Sequence, residues 1–130
     1  MKAYLLDVHN NRARTVEVGD DDRLEEYYKL LNCSLIDITS RQIEGKYFDI
    51  IADDEGLYNE PVIVSALDSN GEPALVGSLL FCNYDGEGGE TSLTDEDIAL
   101  LRKHTAVAVR SERETGKEID YRVVITGVDP

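Results

Sequence analysis

Val62-Ile63-Val64-Ser65-Ala66-Leu67 and Ala74-Leu75-Val76-Gly77-Ser78-Leu79-Leu80-Phe81 are two near-continuous apolar runs. Between them stands Ser69-Asn70-Gly71-Glu72-Pro73, and Asn-Gly between apolar runs is a strong hairpin signal. The spacing predicts two adjacent antiparallel strands joined at Asn70-Gly71. Both lack polar alternation, so they belong in the middle of a sheet rather than at its edge.

Further strands are expected on both sides. Tyr4–Val8 and Thr15–Val18 flank a turn at Asn10-Asn11, and Leu35–Thr39 and Tyr47–Ala52 flank Glu44-Gly45. Asp53-Asp54-Glu55-Gly56 and Asn59-Glu60-Pro61 read as turns. Ile119, Tyr121, Val123 and Ile125 alternate with Asp120, Arg122, Val124 and Thr126 as a last strand.

Two helices interrupt the hairpins. Leu24, Tyr27, Tyr28 and Leu31 fall at i, i+3, i+4 and i+7, with Asp22 as N-cap and Asn32 as the stop. Asp20, Asp21 and Asp22 suit the positive end of that helix and need no other role. In the second helix Thr94 caps, Asp97 completes a capping box and Leu93 staples onto Ile98. Its face is expected to continue through Leu101, Thr105 and Ala108, with Arg110 near its end and a polar loop over Ser111–Lys117. The predicted class is α+β. It has a mostly antiparallel sheet of six or seven strands built from hairpins and two helices packed on it, in one domain over residues 1–130.

Charge is concentrated. The chain holds 27 acidic and 13 basic residues, a net charge of -14. From Tyr47 to Leu101 there is no Lys, Arg or His, against 13 acids, while the remaining 75 residues are close to neutral. Such a field repels nucleic acid and attracts basic partners. A charge run is commonly just a solvated face, yet solubility surfaces intersperse both signs. No apolar run reaches the ~20 residues of a membrane helix. No small-residue cleavage site follows the N-terminal apolar stretch. A cytoplasmic protein is expected, with Cys33 and Cys82 reduced in or near the core.

No catalytic signature is found. The phosphate-cradling glycine patterns and the G-x-S-x-G elbow are absent. His9 and His104 have no partner at ligand spacing. The acids around Asp49–Glu55 and Asp85–Glu90 do not match the EF-hand pattern. The chain is expected not to be an enzyme, and no metal or cofactor is called for.

Leu31-Asn32-Cys33-Ser34-Leu35-Ile36-Asp37-Ile38, Arg41, Ile43, Tyr47-Phe48-Asp49-Ile50-Ile51 and Asp53-Asp54-Glu55-Gly56 resemble an uncharacterised family, domain of unknown function 3846. Gly71–Gly77 is similar to its second block, so the resemblance spans Leu24–Leu80 and leaves the tail beyond Cys82 uncovered. It implies a setting in bacteriophages and mobile elements of gut bacteria, where small acidic proteins include anti-restriction and anti-CRISPR inhibitors, some of them DNA mimics. It brings no site residue with it.

The leading expectation is a non-catalytic inhibitor of a basic nucleic-acid-binding protein of host defence, such as a CRISPR effector nuclease. It would not bind nucleic acid or membrane directly. The candidate surface is Asp53, Asp54, Glu55, Asp85, Glu87, Glu90, Asp95, Glu96 and Asp97. The alternative is a small-molecule or nucleotide-signal binding module, with Arg41, Tyr47 and Asp49 converging on a pocket.

Overall fold

The run expected as one strand from Ala74 to Phe81 is cut in two at Gly77-Ser78. In the computed structural model, which describes residues 1–87, 89–114 and 116–130, Val62–Leu67 does pair antiparallel with Pro73–Val76. Gly77 then turns with φ +76, a left-handed conformation glycine adopts freely, and Leu79–Tyr84 continues in a different sheet. A near-continuous apolar run hides such a corner, because Ala74–Val76 are half-buried in one sheet and Leu79–Phe81 buried in the other, with only Gly77-Ser78 between them.

In chain order the strands are β1 Lys2–Asp7, β2 Arg12–Glu17, β3 Ile36–Ile43, β4 Lys46–Asp53, β5 Val62–Leu67, β6 Pro73–Val76, β7 Leu79–Tyr84, β8 Glu90–Thr91, β9 Thr105–Glu114 and β10 Lys117–Ile125. The helices are α1 Arg23–Leu31 and α2 Asp95–Lys103. The first sheet has the order β2-β1-β7-β4-β3, with β8 paired to β7, and the second has the order β6-β5-β10-β9, so β6, expected in the middle of a sheet, is an edge strand. The class is α+β and mostly antiparallel, as expected, but the strands are shared between two sheets, and β10 runs parallel to β5.

Local chemistry explains the hairpins and the caps. Glu44 and Gly45 both take positive φ (51° and 82°), the mirror-image two-residue turn that suits the twist of β3 and β4. The Asp22 carboxylate accepts the Glu25 N–H at 3.2 Å, and Asn32 closes α1 with φ 51°. Thr94 and Asp97 form a reciprocal capping box, and Leu93 and Ile98 share one core cluster.

Three expectations are corrected. The second helix stops at Lys103, and Thr105–Glu114 is a strand rather than helix and loop. Thr105 and Val107 are β-branched and favour the extended form, and the Thr105 hydroxyl donates to the Leu101 carbonyl at 2.8 Å, closing the helix. Ser111–Glu114 belongs to β9 and Lys117 already to β10, so the expected polar loop is mostly hairpin. Leu24 is 49% exposed, because the buried stripe of α1 runs through Tyr27, Leu30 and Leu31 and leaves Leu24 on its flank.

The first sheet is the middle layer. On one face Leu5, Ile51, Leu80 and Cys82 meet Tyr27 and Leu31 of α1. On the other, Leu6, Phe48, Ile50, Leu79 and Phe81 meet Ile98 and Leu101 of α2 and Ala66, Val123 and Ile125 of the second sheet. Leu79–Cys82 of β7 are buried from both sides, which is why that stretch reads as unbroken apolar sequence.

Candidate functional site

Strand β7 sets the geometry of the acidic residues. It runs antiparallel to both β1 and β4, so Tyr84 lies at the end of the sheet that holds Lys2 and Lys46. Four chain segments converge at that end. The Leu93 N–H reaches the Lys2 carbonyl at 2.8 Å, tying the start of α2 to β1. Arg23 at the start of α1 donates to the Glu90 carbonyl at 3.0 Å and to Asp20 at 2.7 Å. The N-terminal amine lies 3.6 Å from Glu17. The result is a pole that gathers Asp20, Asp21, Asp22, Asp85, Glu87, Glu90, Asp95 and Glu96.

The expected surface residues fare differently. Glu87 and Glu96 are exposed. Asp85 is exposed too, but its Oδ1 accepts the N–H groups of Glu87 (2.7 Å) and Gly89 (3.1 Å), which hold its carboxyl below the usual range. Asp95 pairs with Lys2, which also lowers it. Glu90 is half-buried and accepts the Tyr27 hydroxyl at 2.9 Å; burial and that bond raise the Tyr27 pKa. Asp97 is only 3% exposed and cannot present a carboxylate to a partner. It pairs with Lys46, accepts the Thr94 N–H at 2.8 Å and takes the Asn83 amide at 2.7 Å.

Asp53, Asp54 and Glu55 are not brought to this pole. Ala52 pairs with Leu79 at the opposite end of β7, and a six-residue strand spans roughly 17 Å at about 3.4 Å per residue. There the Asp53 carboxylate accepts the Glu55 N–H at 2.9 Å and shapes the turn, while Asp54 and Glu55 are exposed.

By sequence Asp20, Asp21 and Asp22 have a role only at the positive end of α1. Asp22 does cap, but all three are exposed and stand beside the β7–β8 turn. The Arg23–Glu90 contact, across 67 residues, and the Tyr27–Glu90 contact join the two segments, and no local pattern announces either. Tyr47 and Tyr84, 57% and 55% exposed, also lie at this end. Alternation in β4 places Tyr47 on the face of Ile51, a signal present in the sequence.

The other chemistries find little support. Arg41 lies opposite Phe48, whereas Tyr47 and Asp49 share the face of Ile51, so these three do not converge on one pocket. Burial, then Glu90 and Asp49, push the Cys82 thiol up to about 12, and burial and Asp53 raise Cys33; both shifts disfavour the nucleophilic thiolate. Among the described residues, no three His, Cys, Asp or Glu side chains are grouped to hold a metal ion. No helix there is long and apolar enough to cross a membrane.

A family model described as domain of unknown function 3846 matches residues 1–106. The match reaches past Cys82 through α2 to the start of β9, further than the stretch that carries the resemblance in the sequence. No curated protein and no solved structure matches the chain.

Proposed function

The chain belongs to the family of domain of unknown function 3846, and within it we propose that this protein is a non-catalytic interaction protein whose acidic pole binds a basic, nucleic-acid-binding protein of host defence. One observation carries the reading: the bases that reach the pole are taken up by acids already there. Lys2 pairs with Asp95, Arg23 with Asp20 and Lys46 with Asp97, leaving Asp21, Glu87 and Glu96 exposed and without an ion pair among the described residues. A set of carboxylates held this way competes for the cationic cleft in which a nuclease holds phosphates. Inhibition by occupancy needs no reacting group.

The test is displacement of labelled DNA or guide RNA from a purified CRISPR effector nuclease. Asp21→Asn, Glu87→Gln and Glu96→Gln combined should weaken displacement at least about tenfold at low salt, and the wild-type effect should fade as salt rises. Asp54→Asn with Glu55→Gln, at the far end of the sheet, should change it by less than about twofold. Equal losses from both sets would mean that total charge, not this pole, is responsible. Failure of the wild type to displace nucleic acid from any basic effector would end the proposal.

A further inference from the structure

Helix α1 covers only part of its face of the first sheet. At its edge, where the Tyr27 hydroxyl reaches Glu90 of β8, and beyond it, that face carries Tyr47 and Asp49 on β4 and Tyr84 on β7, while Cys82 of β7 is buried among the α1 side chains. The register supports this placement: Asp49 pairs with Cys82, Tyr84 pairs with Glu90, and alternation puts all of them on the side of Ile51. Carrying the β4–β7 register one pleat further sets Tyr47 across from Tyr84. The two rings do not stack, since the close ring pairs among the described residues are Tyr4–Phe81 and Phe48–Phe81. Two exposed aromatic rings therefore stand side by side, flanked by the half-buried carboxylates of Asp49 and Glu90.

The charge of the surroundings selects the occupant. Among the described residues the Asp49 carboxylate makes no hydrogen bond and no ion pair. Burial, and then the nearby Glu90, raise its pKa, the signature of a carboxylate short of a cation. An apolar segment would bury the Asp49 carboxylate unpaired, and an anion would be repelled. A guanidinium fits both features: it stacks on aromatic faces and pairs with carboxylates through a planar fork of donors. A lysine ammonium lacks that planar fork.

We propose that Tyr47 and Tyr84, with Asp49 and Glu90 beside them, form a receiving site for an arginine side chain of a basic partner. The inference rests on the reading of the acidic pole as the partner-binding surface. It adds a short-range anchor to a field that salt would otherwise screen, and it gives the pole a preference between two cations of equal charge.

Octa-arginine and octa-lysine peptides titrated calorimetrically into the wild-type protein test it. Octa-arginine should bind about tenfold more tightly, the combined effect of two rings at exposed sites. Tyr47→Leu with Tyr84→Leu should bring octa-arginine down close to the octa-lysine level and weaken octa-lysine much less. Tyr47→Phe with Tyr84→Phe keeps the rings and should keep the preference, which separates loss of the site from a failure to fold. Asp21→Asn, Glu87→Gln and Glu96→Gln combined should weaken both peptides alike. Equal binding of the two peptides by the wild type, or an arginine preference that survives the double leucine change, would overturn this site and leave the acidic pole standing. Absence of binding by either peptide would overturn both.

Discussion

Lys46 and Asp97 form an ion pair that joins β4 to the first turn of α2. The Asp97 side chain is 4% exposed and that of Lys46 42%, so the pair sits at the rim of the core. Asp97 also satisfies the Thr94 N–H and the Asn83 amide, closing the gap between β7 and the helix start. Asp97→Ala would break the capping box, take away one of the two acceptors of the half-buried Asn83 amide and leave Lys46 unpaired, and should cost about 1–3 kcal/mol in urea denaturation. Lys46→Met should cost less, because its end of the pair is partly screened by water. A larger loss from the lysine change would reverse this assignment.

Leu101 is fully buried where α2 meets both sheets. Leu101→Ala should cost about 2–5 kcal/mol in the same measurement. Leu24→Ala, on the exposed flank of α1, should cost less than about 1 kcal/mol. Comparable losses at the two sites would contradict the packing of α1.

Gly77 holds φ +76 with open space where a Cβ would stand. Gly77→Ala should therefore cost about 1–2 kcal/mol through backbone strain alone. Gly77→Asn should cost less, since asparagine tolerates this conformation better. Thermal denaturation of the two variants checks the order.

Asp85 and Asp49 should titrate on opposite sides of the ordinary aspartate value, as read by carboxyl carbon NMR. Asp85 is held low, so its stabilising contribution is present above the unfolded value of about 3.9 and is lost as pH falls through its lower folded value. Asp49 is held high, so the fold loses stability as pH rises from the unfolded value through the raised one. Asp49→Asn should remove that loss and raise the urea midpoint at neutral pH. Addition of octa-arginine should draw the Asp49 titration downward. A normal Asp49 titration, unmoved by the peptide, would contradict the local electrostatics described for β4.

What the sequence disclosed and what it withheld follow from the range of the interactions. Glu44-Gly45, Asp22, Asn32 and the Thr94–Asp97 box act within four residues, and each was legible. Thr105 and Ala108 matched the helical period only because small and β-branched residues fit either pattern, and the strand partner Lys117–Ile125 decided the outcome. The concentration of acid was visible in composition, but its distribution was not. Asp54 and Glu55 stand close to the other acids in charge and sequence region yet lie at the far end of β7, while Asp20 and Asp21 reach the pole through Arg23. Asp97 looked like one more surface acid until its three partners, contributed by separate segments, enclosed it.

The two-residue passage at Gly77-Ser78 leaves the sheets little freedom to come apart separately. Ser78 is buried, and its hydroxyl accepts the Val8 N–H at 3.2 Å, so the corner is fastened to β1. Extracting β6 from one sheet pulls directly on β7, the innermost strand of the other. Amide protons on β5 and on β4 should therefore exchange with solvent through one shared opening, with closely matching protection, although they belong to different sheets. A protein that engages its target through a charged end gains from such coupling, because strain applied at the pole is borne by the whole molecule.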